Sequence, residues 1–375
     1  MKTKAAVLWG IGEDWKIEEV ELGDPVAGEV QVKLAASGLC HSDEHVRTGD
    51  TMLPSWPFIG GHEGAGTVTK VGPGVSSLKE GDHVVLGFIP ACGRCPACTS
   101  GKMNLCDYGA NLLTGMAIAD NTFRHTVKGQ GAIPMCLLGT FSPYVTVHES
   151  SAILIEPDLP LDKAALVGCG VTTGWGSSVY AAEIKPGETA VVIGIGGVGA
   201  NAVQGAAMAG ARHVVAIDPV EFKREQAMLL GATHTYASMA EAIEPISQLT
   251  YGRKADKAVI TVGKIEGTHI AEAMALIGKG GTTVVTGMGS MADMNVSLSL
   301  FEMTLLQKRL QGAVFGGGNP RNDIPKLLSL YRDGQLKLDE LITKTYKLED
   351  INEAYADMAA GKNIRGVIMY GEDDY

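Results

Sequence analysis

The chain has 375 residues, enough for two or three units that each bury a core. Its 31 Lys+Arg stand against 42 Asp+Glu, a formal charge of -11 that would repel a phosphate backbone or an anionic membrane surface, so neither nucleic acid nor membrane is an expected partner. Glycine, at 49 residues, is used about twice as often as usual and implies many tight turns and close backbone approaches.

The opening MKTKAAVLWGIGEDWKIEEVEL turns acidic before any apolar run long enough for a secretion signal, which points to the cytoplasm. Short β-rich segments at 4–8, 29–36, 66–71, 83–86 and 144–147, bounded by Gly, Pro, Asp or Ser, predict a β-rich first domain with long functional loops. Pro157 and Pro160 precede a helix-like run over 161–169 that carries Cys169 to a domain boundary. From 189 the texture alternates: strand 189–194, helix 198–210, strand 213–218, helix 221–230, strand 258–262, helix 266–277, strand 282–286 and a strand at 310–315. That alternation predicts an α/β unit with a parallel, doubly wound sheet. The stretch 189–211 is apolar enough to suggest a membrane span, but Asn201, Gln204 and its glycines in a strand-turn-helix pattern argue against one. A helix at 323–332 and a strand at 367–370 lack a core of their own and are expected to return to the first domain. The domain reading is therefore 1–170 with 316–375, and 171–315.

Seven cysteines are an odd number, and their spacing suits metal better than disulfides. Cys92, Cys95, Cys98 and Cys106 form C-x-x-C-x-x-C-x7-C in a hydrophilic loop that offers no core for thiols to fill, the pattern of a closed, structural zinc site. Cys40, His62 and Cys169 lie scattered, and three ligands with a fourth position open is the pattern of a catalytic zinc. Cys136 is left over and reads as a small buried hydrophobe.

Gly194-Ile195-Gly196-Gly197-Val198-Gly199 closes an apolar strand and opens a small-residue helix, with Asp218 at the tip of the next strand. The glycines permit the turn, the approach of backbone to a pyrophosphate and close helix packing, while the helix N-terminus supplies amide dipoles. Asp218 would accept from ribose hydroxyls and repel a 2′-phosphate, which favours NAD over NADP. Lys223 reads either as a ribose contact or as a helix-surface cation.

Cys40 begins Cys-His-Ser-Asp-Glu-His, His62 sits in Gly60-Gly61-His62-Glu63-Gly64-Ala65-Gly66, and Cys169 opens Cys169-Gly170-Val171-Thr172-Thr173-Gly174. With these motifs, in this order, nearly the whole chain resembles the zinc-dependent alcohol dehydrogenases of the medium-chain dehydrogenase/reductase family. The resemblance implies a GroES-like catalytic domain plus a Rossmann domain, two zinc ions per chain, NAD and a small alcohol or aldehyde substrate. It implies Cys40, His62 and Cys169 as catalytic zinc ligands, Glu63 as an alternate ligand, Asp43 behind a ligand histidine, Ser42 at the substrate oxygen and His45 at the end of a proton relay through the nicotinamide ribose. The zinc would lower the alcohol's pKa and hydride would pass to nicotinamide. Thr173 and Arg365 fall at coenzyme positions, Arg365 toward the pyrophosphate, and His41 takes a phosphate position often held by arginine. Trp56, Phe88 and Phe141 are candidate apolar walls of a dry pocket. A homo-oligomer, dimer or tetramer, is expected.

Within the family, Cys169-Gly170-Val171-Thr172-Thr173-Gly174-Trp175-Gly176 and the segments 201–207 and 218–225 are most similar to the actinobacterial NDMA-dependent alcohol dehydrogenases. These keep NAD(H) bound through turnover and pass electrons to an external acceptor such as nitrosodimethylaniline or a mycofactocin-type carrier. The alternatives are an ordinary dissociable-NAD enzyme and the glutathione-dependent formaldehyde dehydrogenase branch, whose pocket-mouth arginine has no counterpart in the apolar 112–119. A non-enzymatic dinucleotide-binding scaffold would need only the four-cysteine site, so Cys40, His62, Cys169, Ser42 and His45 argue against it.

Overall fold

In the computed structural model, which describes residues 1–375, the chain divides into Met1–Cys169 with Asn319–Tyr375, and Gly170–Gly318. The first unit is organised on the strand Glu29–Gly38, whose residues are nearly all buried. In its sheet the order is Ala152–Leu154, His83–Leu86, Gly64–Val71, Glu29–Gly38, Arg365–Met369 and Ile342–Tyr346, with Tyr144–His148 also paired to Glu29–Gly38. A second sheet runs Gln130–Gly131, His125–Val127, Lys16–Leu22, Lys2–Leu8, Phe58–Ile59 and Ile133–Pro134. Between them packs a core that includes Leu8, Trp15, Val32, Leu34, Phe58 and Phe141.

Several strands end at one place. Ser37 lies opposite Gly64, Gly64 opposite Leu86, and Val367 opposite Gly38. Cys40 follows the first of these ends, His62 and Glu63 precede the second, and Arg365 opens the last.

The second unit is α/β. Its strands run in the order His234–Tyr236, His213–Ile217, Thr189–Ile193, Ala255–Ile260, Ile277–Val285 and Arg309–Gly312, every pair parallel. The order reverses between Thr189–Ile193 and Ala255–Ile260, the kind of switch point where doubly wound sheets bind ligands at the carboxyl ends of their strands. Val191, Ile193, Val215, Ile217, Ala258 and Ile260 supply its core.

Sequence reading passed over the strand Lys16–Leu22, whose alternation begins only at Glu18, and the short strand His234–Tyr236. It also passed over the helix Met239–Leu249, because Pro245 reads as a breaker. There Ser238 caps the first turn by accepting from Glu241 N–H at 3.2 Å, and Met239, Ala242 and Ile246 bury one face. The helix expected over 161–169 stops at Val167, leaving Cys169 in the joint before the helix Gly170–Gly176. No helix is long and apolar enough to cross a membrane.

Candidate metal centres and dinucleotide loop

Cys40 occupies the N-cap position of the helix His41–Arg47 in extended conformation. Its sulfur, the Cys169 sulfur, a His62 ring nitrogen and a Glu63 carboxylate oxygen all lie within 4.8 Å of one another, and His62, Glu63 and Cys169 are buried. Asp43, fully buried, accepts from Gly61 N–H at 2.6 Å and sets its other oxygen 3.1 Å from His62 Nδ1. That contact holds the ring from behind and leaves Nε2 for the cluster.

The charges there are unusual for an interior. A hydrogen bond shared with Cys169 holds the Cys40 thiol well below its ordinary range despite burial, with His62 adding to the pull. The same bond and burial push Cys169 up. Burial pushes Glu63 up to about 7, against the pull of Arg365, whose guanidinium Nη2 donates to its carboxylate. His62 is held well above its ordinary value: burial opposes the charged form, but Asp43 and Cys40 outweigh it. Two sulfurs and an imidazole converging in a buried pocket fit a divalent, borderline-soft cation, and zinc suits that donor set. Ser42 Oγ lies 3.6 Å from Cys40 Sγ, and Phe88 sets its ring edge-on to His62 at 5.7 Å.

The second cysteine set closes on itself. Cys92, Cys95, Cys98 and Cys106 offer sulfurs within 4.8 Å of one another, two pairs 3.9 Å apart, and all four are free thiols. Backbone N–H groups point at the sulfurs: Cys95 to Cys92 at 3.3 Å, Cys98 to Cys95 at 3.4 Å and Asp107 to Cys95 at 3.5 Å. The Asp107 and Cys98 amides pull the Cys95 thiol down to about 6. Burial pushes Cys98 and Cys106 up instead, so it is the convergence of four sulfurs in one local loop that fits a four-sulfur metal site.

In the second unit Gly194 ends the strand Thr189–Ile193 and Gly197 opens the helix Gly197–Met208, whose first turn has no side-chain cap. Its free N–H groups are those of an anion site. A Cβ built on Gly196 meets nothing within 4 Å, whereas one on Gly199 would stand 1.9 Å from Gly194 O. The first glycine leaves room for a ligand, and the second is required by the fold. Asp218 Oδ2 accepts from Ile195 N–H at 2.7 Å and Oδ1 from Val220 N–H at 2.9 Å, so the carboxylate ties the loop to the neighbouring strand tip and keeps spare lone pairs. On the helix Gly170–Gly176 the buried Thr173 hydroxyl has no partner within the protein.

Residues 26–157 match the Alcohol dehydrogenase GroES-like domain, and residues 197–333 match Zinc-binding dehydrogenase. Alcohol dehydrogenase B of Mycobacterium tuberculosis is 53% identical over 374 residues, 100% of each chain. The chain belongs to the zinc-binding alcohol dehydrogenases. The NDMA-dependent alcohol dehydrogenase of Amycolatopsis methanolica is 52% identical over 373 residues, again 100% of each chain. Among solved structures, an alcohol dehydrogenase zinc-binding domain protein from Burkholderia ambifaria superposes with a TM-score of 0.91 at 31% identity, covering 99% of this chain and 100% of that one. The protein is thus a zinc-dependent alcohol dehydrogenase with GroES-like and Rossmann-like parts, and its family implies zinc and NAD.

One expected pocket residue lies in the core, and two expected coenzyme residues also take partners within the protein. Arg365, expected at the pyrophosphate, is 4% exposed and bonded to Glu63, because the strand it opens begins beside the cluster. Phe141, expected as a pocket wall, is fully enclosed among Trp15 and Tyr355 and packs the core. Asp218 binds its own backbone as well as facing the loop. His41 is exposed on its helix, Lys223 is half-buried, and Trp56 is half-buried with its ring edge-on to Phe58. Sequence reasoning missed Arg224, whose Nη1 donates to Asp218 O at 2.8 Å and Pro219 O at 2.9 Å. Its signal was present as a basic residue one turn into the helix after Asp218.

Cys95→Ser is expected to lower folded yield and thermal midpoint more than turnover per folded molecule. Losing even about 2 kcal/mol of metal-linked stability shifts the midpoint by roughly 4–8 °C in a unit of this size. A variant as heat-stable as the parent in a melting scan would remove the structural metal from this loop.

Proposed function

We propose that this alcohol dehydrogenase oxidises a small alcohol by hydride transfer to an NAD that stays bound through turnover and is reoxidised by an external acceptor, with two zinc ions per chain. The observation that carries the reading is the 52% identity over the whole of both chains with an NDMA-dependent alcohol dehydrogenase. Cys40, His62 and Cys169 would hold one zinc, and Cys92, Cys95, Cys98 and Cys106 the other. Zinc at the first set supplies Lewis acidity that lowers the pKa of an alcohol hydroxyl. Asp43 fixes the His62 ring, Ser42 offers a hydroxyl beside the cluster, and His45 is the proton acceptor at the far end of the same helix. Glu63 carries a carboxylate that burial and Arg365 hold in balance, a ligand able to approach or leave the metal. The open space at Gly196 and the uncapped helix behind it receive the pyrophosphate, with Asp218 and Thr173 at the coenzyme's flanks.

Protein purified with no added coenzyme is expected to contain close to one NAD(H) per chain and to oxidise alcohols with nitrosodimethylaniline alone. With association at about 10⁵ to 10⁷ M⁻¹ s⁻¹, retention over hours requires a dissociation constant below roughly 10⁻⁹ M. Acid denaturation and chromatography of the released dinucleotide decide the matter. An empty protein that reduces added NAD with alcohol would make it a dissociable-coenzyme enzyme and leave the zinc assignments standing.

A further inference from the structure

His45 lies in the last turn of the helix His41–Arg47, and the chain then folds back on it. Thr48 N–H donates to Glu44 O at 2.8 Å, Gly49 takes a φ of 81°, and Thr51 N–H returns to His45 O at 2.8 Å. The turn lays Asp50 against the imidazole: its Oδ2 stands 3.5 Å from His45 Nδ1, with the two side chains 14% and 6% exposed. The Thr48 hydroxyl stands 3.0 Å from that same carboxylate oxygen and fixes it in place. The other charges at this helix end meet each other, Arg47 Nε donating to Glu44 Oε2 at 2.8 Å. Asp43 is turned away from His45, toward Gly61 and His62. Ser42 and His45 stand three residues apart, on one helix face.

We infer that Asp50 is a positioning residue for His45, its carboxylate holding the ring in the tautomer that carries its hydrogen on Nδ1 and keeps the lone pair on Nε2. The inference rests on the proposed role of His45 as proton acceptor. An arriving proton forms an N–H bond at Nε2 as the donor's O–H bond breaks. The positive charge left on the ring lies beside Asp50 until the proton passes to water. Without the carboxylate the ring is free to present Nδ1 or Nε2, and the charged form has no counter-ion at its back. A separation of 3.5 Å is long for a hydrogen bond, as functional contacts often are before substrate arrives.

The test uses ring-nitrogen NMR of histidine-labelled protein, as purified, and steady-state alcohol oxidation, on the parent, Asp50→Asn, Asp50→Ala, His45→Gln and the double variant Asp50→Asn/His45→Gln. His45→Gln identifies the His45 signals by their loss, and a melting scan checks that each variant is folded. The parent is expected to show His45 with hydrogen on Nδ1, and both Asp50 variants to lose that preference. Asp50→Asn is expected to lower turnover by about tenfold, the low end of what losing the outer partner of a functional histidine costs. It should lower it no further once His45 is Gln. A parent ring with its hydrogen on Nε2, or an Asp50→Asn loss that persists undiminished in the His45→Gln background, overturns the inference while His45 keeps its role. Full turnover in His45→Gln removes the proton-acceptor role itself, and the inference with it.

Discussion

Replacing Cys40 by Ser is expected to cut alcohol turnover by about a thousandfold or more while leaving the dinucleotide content unchanged. A metal's electrostatic stabilisation of developing charge amounts to several kcal/mol, and each 1.36 kcal/mol is about tenfold in rate. Serine keeps the shape of the side chain but replaces a sulfur that is easily ionised here with an oxygen that is not, so the ion is held weakly or lost. His62→Ala should do the same to turnover, yet it is the less clean experiment. It removes the ring that faces Asp43 and leaves that fully buried carboxylate with the Gly61 N–H, at a stability cost of about 1–3 kcal/mol that would blur the reading. The dinucleotide loop lies in the other unit, at 194–199, so coenzyme content serves as the internal control. Near-normal turnover by either variant after chelator treatment would end the assignment of the cluster as the catalytic metal centre.

The two metal sets were legible in the sequence to different degrees, and the reason is how each is built. Cys92, Cys95, Cys98 and Cys106 meet through one short turn and a four-residue helix, Pro96–Thr99, so spacing alone encodes their convergence. Cys40, His62 and Cys169 come together only because Ser37 pairs with Gly64 and Gly64 with Leu86, and single-sequence spacing holds no record of strand register. Family resemblance supplied what spacing could not. Resemblance did not show the contact of Arg365 with Glu63, since a motif fixes a residue type but not every partner it takes in a given structure, and Glu63 lies 302 positions away. The alternating strands and helices after 189 were readable because apolar runs such as Thr189–Ile193 and His213–Ile217 alternate with longer helical stretches such as Gly197–Met208 and Glu221–Leu229. The helix with Pro245 and the strand His234–Tyr236 were not, because the first contains a breaker and the second is three residues long.

Gly196→Val is expected to give a folded enzyme that no longer keeps its coenzyme. Gly196 has φ −90° and ψ −163°, extended backbone that a β-branched residue adopts readily, and a Cβ there touches nothing. The thermal midpoint should therefore stay close to that of the parent. The added methyl groups would stand in front of the uncapped helix N-terminus, where a pyrophosphate must approach to accept from backbone N–H groups. Two hydrogen bonds to a charged group, at about 1.5–3 kcal/mol each, are worth at least 3 kcal/mol, so affinity should fall by more than about a hundredfold. Gly199→Ala provides the contrast: its Cβ would stand 1.9 Å from Gly194 O and 2.8 Å from Thr261 Oγ1, so the helix must move off the strand. Overpacking of that kind costs about 1–3 kcal/mol and should appear first as a lower melting midpoint. Coenzyme content and NAD titration, run beside a melting scan on both variants, separate the two effects. If Gly196→Val retained the parent's dinucleotide content and affinity, the phosphates would have to lie away from this loop, and the role given to the helix Gly197–Met208 would fall with them.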